Sequence, residues 1–144
     1  MNKPVQNVSV ANGLWGENTA ISYLQKHGYA IIARNARPCR KDARLEIDAI
    51  AYDKSCDTVA FVEVKQHARR SNLQRRIRSV DRRKMNLLRR ACVSWLLSSG
   101  WKGSYRFDVI EIYGSPGDGS PPAVDHIQRV RLFSRTDRFV NWND

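Results

Sequence analysis

A chain of 144 residues with 42% hydrophobic content has room for one domain with its own core and is short for two. Its 25 Lys and Arg against 14 Asp and Glu leave a net charge of +11, which points to a polyanionic partner and says little about the fold. Three widely spaced cysteines (Cys39, Cys56, Cys92) make no CxxC zinc pattern or disulfide framework, the N-terminus has no apolar secretion segment, and no run approaches a membrane span, so the chain reads as cytoplasmic with no membrane partner.

Residues 1–12 read as a flexible lead-in. From 13 to 27 (GLWGENTAISYLQKH), Leu14, Ala20, Ile21 and Leu24 share a helical face, and Gly28 offers a stop. Glu17 lies three residues after Leu14 and four before Ile21, on or beside that face. A carboxylate there needs a partner or a cation. Equally, a Glu in a first helical turn is favoured by the macrodipole. Residues 29–37 (YAIIARNAR) form a strand ended by Pro38, and 39–43 a charged turn.

Residues 44–66 (RLEIDAIAYDKSCDTVAFVEVKQ) make two alternating segments around a polar turn at 53–57. Strand alternation puts Leu45, Ile47, Ala49 and Ala51 on one face, with Glu46, Asp48 and Ile50 on the other. In the second segment Val62 and Val64 lie opposite Phe61, Glu63 and Lys65. Keeping apolar faces together sets Ile50 against Phe61, Asp48 against Glu63 and Glu46 against Lys65. Two carboxylates directly across an antiparallel pair repel each other. A cation between them is the simplest compensation, and an all-oxygen site suits Mg2+ or Mn2+. Lys65 would orient or activate water, or stabilise charge on a phosphate. The bland reading is a solvent-facing hairpin with a Glu46–Lys65 surface pair.

Between 66 and 90 lie ten basic residues, Arg69, Arg70, Arg75, Arg76, Arg78, Arg82, Arg83, Lys84, Arg89 and Arg90, against Asp81 alone. A solvated face would not need so one-sided a run; a surface for nucleic-acid phosphates would. Residues 79–98 form a second helix with Val80, Leu87, Leu88, Ala91 and Trp95 on one stripe. Lys84 shares that stripe, either snorkelling outward or reaching the edge of the site beside Glu63 and Lys65. A strand at 105–113 puts Phe107, Val109 and Glu111 opposite Arg106, Asp108, Ile110 and Ile112. A flexible loop at 114–122, a last strand at 123–133 and a polar tail at 134–144 complete the chain. This order gives an α/β sandwich with a mixed sheet flanked by helices. His27, His67 and His126 show no ligand or triad spacing, and Ser and Cys nucleophile motifs are absent, which argues against acyl-transfer chemistry.

Several short motifs occur in order: G-x-x-x-E-x-x-A (Gly13, Glu17, Ala20), Y-x-x-x-x-R-N (Tyr29, Arg34, Asn35), EIDAIA (46–51), FVEVK (61–65), a helix with Val80, Lys84, Ala91 and Leu96, and RFDVI (106–110). Over roughly residues 13–133 the chain thereby resembles the YraN-like family of the PD-(D/E)XK, or restriction-endonuclease-like, superfamily. It is more distantly similar to archaeal Holliday-junction resolvases. The resemblance implies an αβββαβ restriction-endonuclease-like core within a single domain at 13–133. It also implies that Asp48 and Glu63 bind the metal, that Lys65 is the catalytic lysine, and that Glu17 completes the site, with Glu46 as a further candidate ligand. Leu45 stands where the family usually has Gly, and Gln66–His67 where it often has a small or hydroxyl residue followed by Arg.

The expected function is Mg2+- or Mn2+-dependent endonucleolytic cleavage of nucleic acid, DNA ahead of RNA, with a branched or structured substrate in view and a homodimer if the cut is symmetric. The alternatives are a non-catalytic nucleic-acid-binding module on the same fold and a structural component of an RNA assembly.

Overall fold

The computed structural model describes residues 5–68 and 82–133. The elements run α1 (Val5–Lys26), β1 (Tyr29–Ala36), β2 (Ile47–Asp53), β3 (Thr58–His67), α2 (Arg82–Ser99), β4 (Ser104–Tyr113) and β5 (Ala123–Ile127). They build one five-stranded sheet in the order β1-β2-β3-β4-β5. Every neighbouring pair is antiparallel except β3–β4, which is parallel. A parallel pair requires a crossover, and α2 lies on that connection. The architecture is the expected α/β sandwich with a mixed sheet, compatible with a restriction-endonuclease-like core.

The alternation of β2, β3 and β4 explains the two layers. Ala20, Ile21 and Leu24 of α1 pack on Ala49, Ala51, Ala60, Val62, Ile110 and Ile112. On the other face, Leu88, Ala91, Cys92 and Leu96 of α2 pack on Ile50, Val59, Phe61, Phe107 and Val109. Burying both faces of the central strands accounts for their nearly continuous apolar runs. Among the described residues, no helix is long and apolar enough to cross a membrane.

The structure departs from the sequence reading in four places. Helix α1 begins at Val5, so most of the expected lead-in is helical. Leu14 is 54% exposed, one turn beyond the covered stretch, and Trp15 packs against the core instead. Leu45 and Ile47 join the α2-side core, whereas Ala49 and Ala51 face α1. The expected last strand stops at Ile127, because the chain then turns at Arg129 (φ 57) and runs on beside β4. There Arg129 N–H donates to Asp108 Oδ1 at 3.1 Å, and Val130 N–H to the Phe107 carbonyl at 2.8 Å.

Asp108 belongs to a buried polar knot at this end of the sheet. Arg106 donates through Nε to Asp108, through Nη1 to Asp53 at 3.1 Å and through Nη2 to the Tyr29 hydroxyl at 2.6 Å. His126 Nε2 lies 2.8 Å from Asp108 Oδ2. Burial pushes the Asp53 carboxyl up, but hydrogen bonds from Ser55, Cys56 and Arg106 outweigh it and hold the group well below the usual carboxylate range. The Tyr29 and RFD motifs therefore lock β1, β2, β4 and the chain after β5 together.

Candidate active site

At the opposite end of the β2–β3 ladder, pairing stops at Ala49↔Val62. One step on in the same register, Asp48 and Glu63 face each other as expected, and the Glu63 carboxyl is close enough to share a hydrogen bond with that of Asp48. Asp48 Oδ2 also accepts the Val64 N–H at 2.8 Å, so a side chain takes a donor from the strand just beyond the last ladder pair. Burial chiefly pushes the Asp48 carboxyl up to about 7. Repulsion from Glu63 adds to this, the Val64 N–H opposes it, and the shared hydrogen bond and the charge of Glu17 raise it further.

Glu63 is 7% exposed, and Lys84 of α2 places Nζ 2.7 Å from its Oε1. Lys84 thus reaches the site, as one of its two sequence readings required. Glu17 is half-buried on α1, where Asn35 Nδ2 donates to its Oε2 at 3.3 Å. Arg34 donates to Asn18 in the same turn. Asn35 adopts φ 46, a left-handed conformation that Asn tolerates. The R-N pair at the end of β1 therefore ties down the helical turn that carries Glu17.

The ladder ends before the expected Glu46–Lys65 position. Glu46 precedes the first residue of β2, beyond the end of the ladder, and Arg37 approaches it at 3.7 Å. Its side chain nevertheless lines a cavity of about 270 Å³ with Asp48, Glu63, Arg44 and Lys84, floored by Leu87 and Leu88. Lys65 is half-buried, and burial disfavours its charge. The attraction of Glu111, the repulsion of Lys84 and the attraction of Glu63 follow in that order.

The unusual Gln66–His67 pair is used locally. Gln66 donates to the Gly114 carbonyl, and its Cβ would lie 2.9 Å from any Cβ at Gly16, so glycine lets α1 approach β3 closely. His67 Nε2 meets Glu111 Oε2. Sequence reasoning passed over Glu111, although a carboxylate continuing the Phe107–Val109 row is itself a signal.

Of the basic run, Arg82, Arg83 and Lys84 are exposed at the start of α2. Arg69, Arg70, Arg75, Arg76 and Arg78 lie outside the described residues, as do Val80 and the tail at 134–144. Arg89 and Arg90 have structural contacts, to the Leu132 carbonyl at 3.0 Å and to Asp42 at 3.5 Å.

The sequence profile of the Uncharacterised protein family UPF0102 matches residues 16–112. The chain belongs to this family. It is 32% identical over 124 residues to a UPF0102 protein of Herpetosiphon aurantiacus, covering 85% of this chain and 94% of the relative. A UPF0102 protein of Desulfosudis oleivorans is 39% identical over 103 residues (71% and 78% covered), and one of Mycobacterium tuberculosis 35% over 120 residues (82% and 90%). This is the YraN-like group that the ordered motifs resembled. The UPF0102 segment contains Glu17, Asp48, Glu63, Lys65 and Lys84.

The donor chemistry fits a hard divalent cation. The carboxyl oxygens of Asp48 and Glu63 suit Mg2+ or Mn2+, and a cation there would offset their repulsion, which Lys84 offsets only at Glu63. Among the described residues, no three His, Cys, Asp or Glu side chains gather closely enough to hold an ion alone.

Proposed function

We propose that this UPF0102 protein is a metal-dependent endonuclease of the PD-(D/E)XK superfamily, acting on DNA ahead of RNA. The observation that supports it is the Asp48–Glu63 carboxyl pair at a cavity, with Lys65 on the same strand and Lys84 facing it. Asp48 and Glu63 would hold Mg2+ or Mn2+, with Glu17 or Glu46 assisting. The bound cation supplies Lewis acidity and makes water a better nucleophile at neutral pH. Holding that ion would need Asp48 deprotonated and Glu63 drawn away from Lys84, with both carboxylates as ligands. Lys65 positions the attacking water or offsets charge on the phosphate in the transition state. Lys84, once released, is placed for a phosphate oxygen. Arg82 and Arg83 hold flanking phosphates together with the basic residues of 69–78. A symmetric cut in branched DNA would call for a two-fold dimer.

A second reading, a nucleic-acid-binding module without turnover, is favoured by the Lys84–Glu63 ion pair, which balances one carboxylate without any metal. Cleavage of labelled duplex, single-stranded and four-way-junction DNA with Mg2+ or Mn2+ separates the two. Lys65→Ala and Glu63→Ala proteins run alongside, and binding is followed by gel shift. Metal-dependent cleavage lost in both variants while binding persists is the expected result. Tight binding with no cleavage under either metal overturns the enzyme reading and leaves the binding module.

A further inference from the structure

Glu111 is fully buried on β4, and the parallel β3–β4 register sets it beside Lys65. Phe107 and Val109, four and two residues earlier, point into the α2-side core, so Glu111 extends that row towards the site. His67, next but one to Lys65 on β3, takes its Oε2. Its Oε1 is buried and has no hydrogen-bond partner among the described residues. An ionised carboxylate oxygen left in that position is costly. The charged groups beside it are Lys65 and His67 on β3 and Asp125 directly opposite on β5, while Glu63 and Lys84 act on Lys65 from its other side.

We propose that Glu111 is a positioning residue, held by His67 through one oxygen and seating the Lys65 ammonium with the other at the edge of the Asp48–Glu63 pair. Glu63 and Asp48 are thereby left to the cation, and Lys65 is drawn to the β4 side of the site. The kinetic consequence rests on the nuclease reading; the seating does not.

The test is the ammonium ¹H–¹⁵Nζ spectrum of ¹⁵N-labelled protein, with Lys65 assigned through Lys65→Arg. A seated ammonium exchanges slowly enough to be seen. The expected result is a Lys65 cross-peak in the wild type that disappears in Glu111→Gln. A peak unchanged in Glu111→Gln, or absent from the wild type, overturns the proposal. If Glu111→Gln does not fold, the double variant Lys65→Met/Glu111→Gln decides. Recovery of folding supports the pairing, and failure like that of the single variant refutes it. Where the wild type cleaves DNA, Glu111→Gln lowers kcat on the order of tenfold to a hundredfold with KM unchanged. Where it does not, the nuclease reading fails and the spectrum still decides the seating.

Discussion

Asp48 and Glu63 meet where β2 and β3 stop pairing, close enough for one carboxyl to hydrogen-bond the other. The pair sits between a helix that supplies a cation, Lys84, and a helix that supplies a further acid, Glu17. Its charge state therefore bears on stability and on the ion binding proposed above.

Folded Asp48 keeps its proton to about 7, whereas in the unfolded chain it loses it near the ordinary 3.8. Ionisation thus favours the unfolded state, by an amount absent below about 4 that grows as pH rises and is complete above about 7. Asp48→Asn, which can still accept the Val64 N–H and donate to Glu63, removes this penalty. It is expected to melt at the same temperature as the wild type near pH 4 and roughly 5 °C or more above it at pH 8. Saturating Mn2+ narrows the gap at pH 8 by stabilising the wild type. Calorimetric scans across this range check it, and a constant gap at every pH contradicts it.

Lys84 competes with any cation for Glu63. Its side chain is 52% exposed, so solvent screens the pair. Lys84→Met is expected to tighten Mn2+ binding by about fivefold at most, as read by titration calorimetry. Weaker binding in Lys84→Met would show that the lysine organises the site.

Removing Arg106 leaves Asp53 and Asp108 as buried acids without their counter-charge. Arg106→Met is expected to lower the urea unfolding free energy by roughly 3–5 kcal/mol. If that variant stays folded, its Mn2+ affinity should match the wild type, because the knot lies at the other end of the β2–β3 ladder from Asp48.

Arg82 and Arg83 are exposed where α2 begins. Each arginine that contacts a phosphate contributes about 0.9 to the slope of log affinity against log salt on duplex DNA. Arg82→Ala/Arg83→Ala should lower that slope by about 2 if both make contact, as measured by fluorescence anisotropy at several salt concentrations. An unchanged slope places the phosphate contacts elsewhere in the basic run.

The sheet was legible because period-two alternation in 44–66 and 105–113 is strong, and the Asp48–Glu63 register follows from it. Alternation could not show that pairing would stop at Ala49↔Val62, since that depends on the Asp48 side chain taking the Val64 donor. It therefore set Glu46 against Lys65, beyond the last ladder pair. Likewise, the strand expected after residue 123 ended early because Asp108, distant in sequence, bonds the backbone at Arg129. His67 and Glu111 stayed hidden for a similar reason: two residues 44 apart become partners only through a parallel crossover, for which a single sequence offers no local pattern.

The Val64 amide turns the site into its own signal. Its proton is held by the Asp48 side chain, so whatever happens to that carboxyl registers in a neighbouring peptide group. Loss of the Asp48 proton, or capture of its oxygens by an ion, would move this one resonance and alter its exchange with solvent, while Val59 and Ala60, inside the ladder, stay still. One backbone nucleus in β3 can thus be watched as an indicator dye is watched, before any substrate is known.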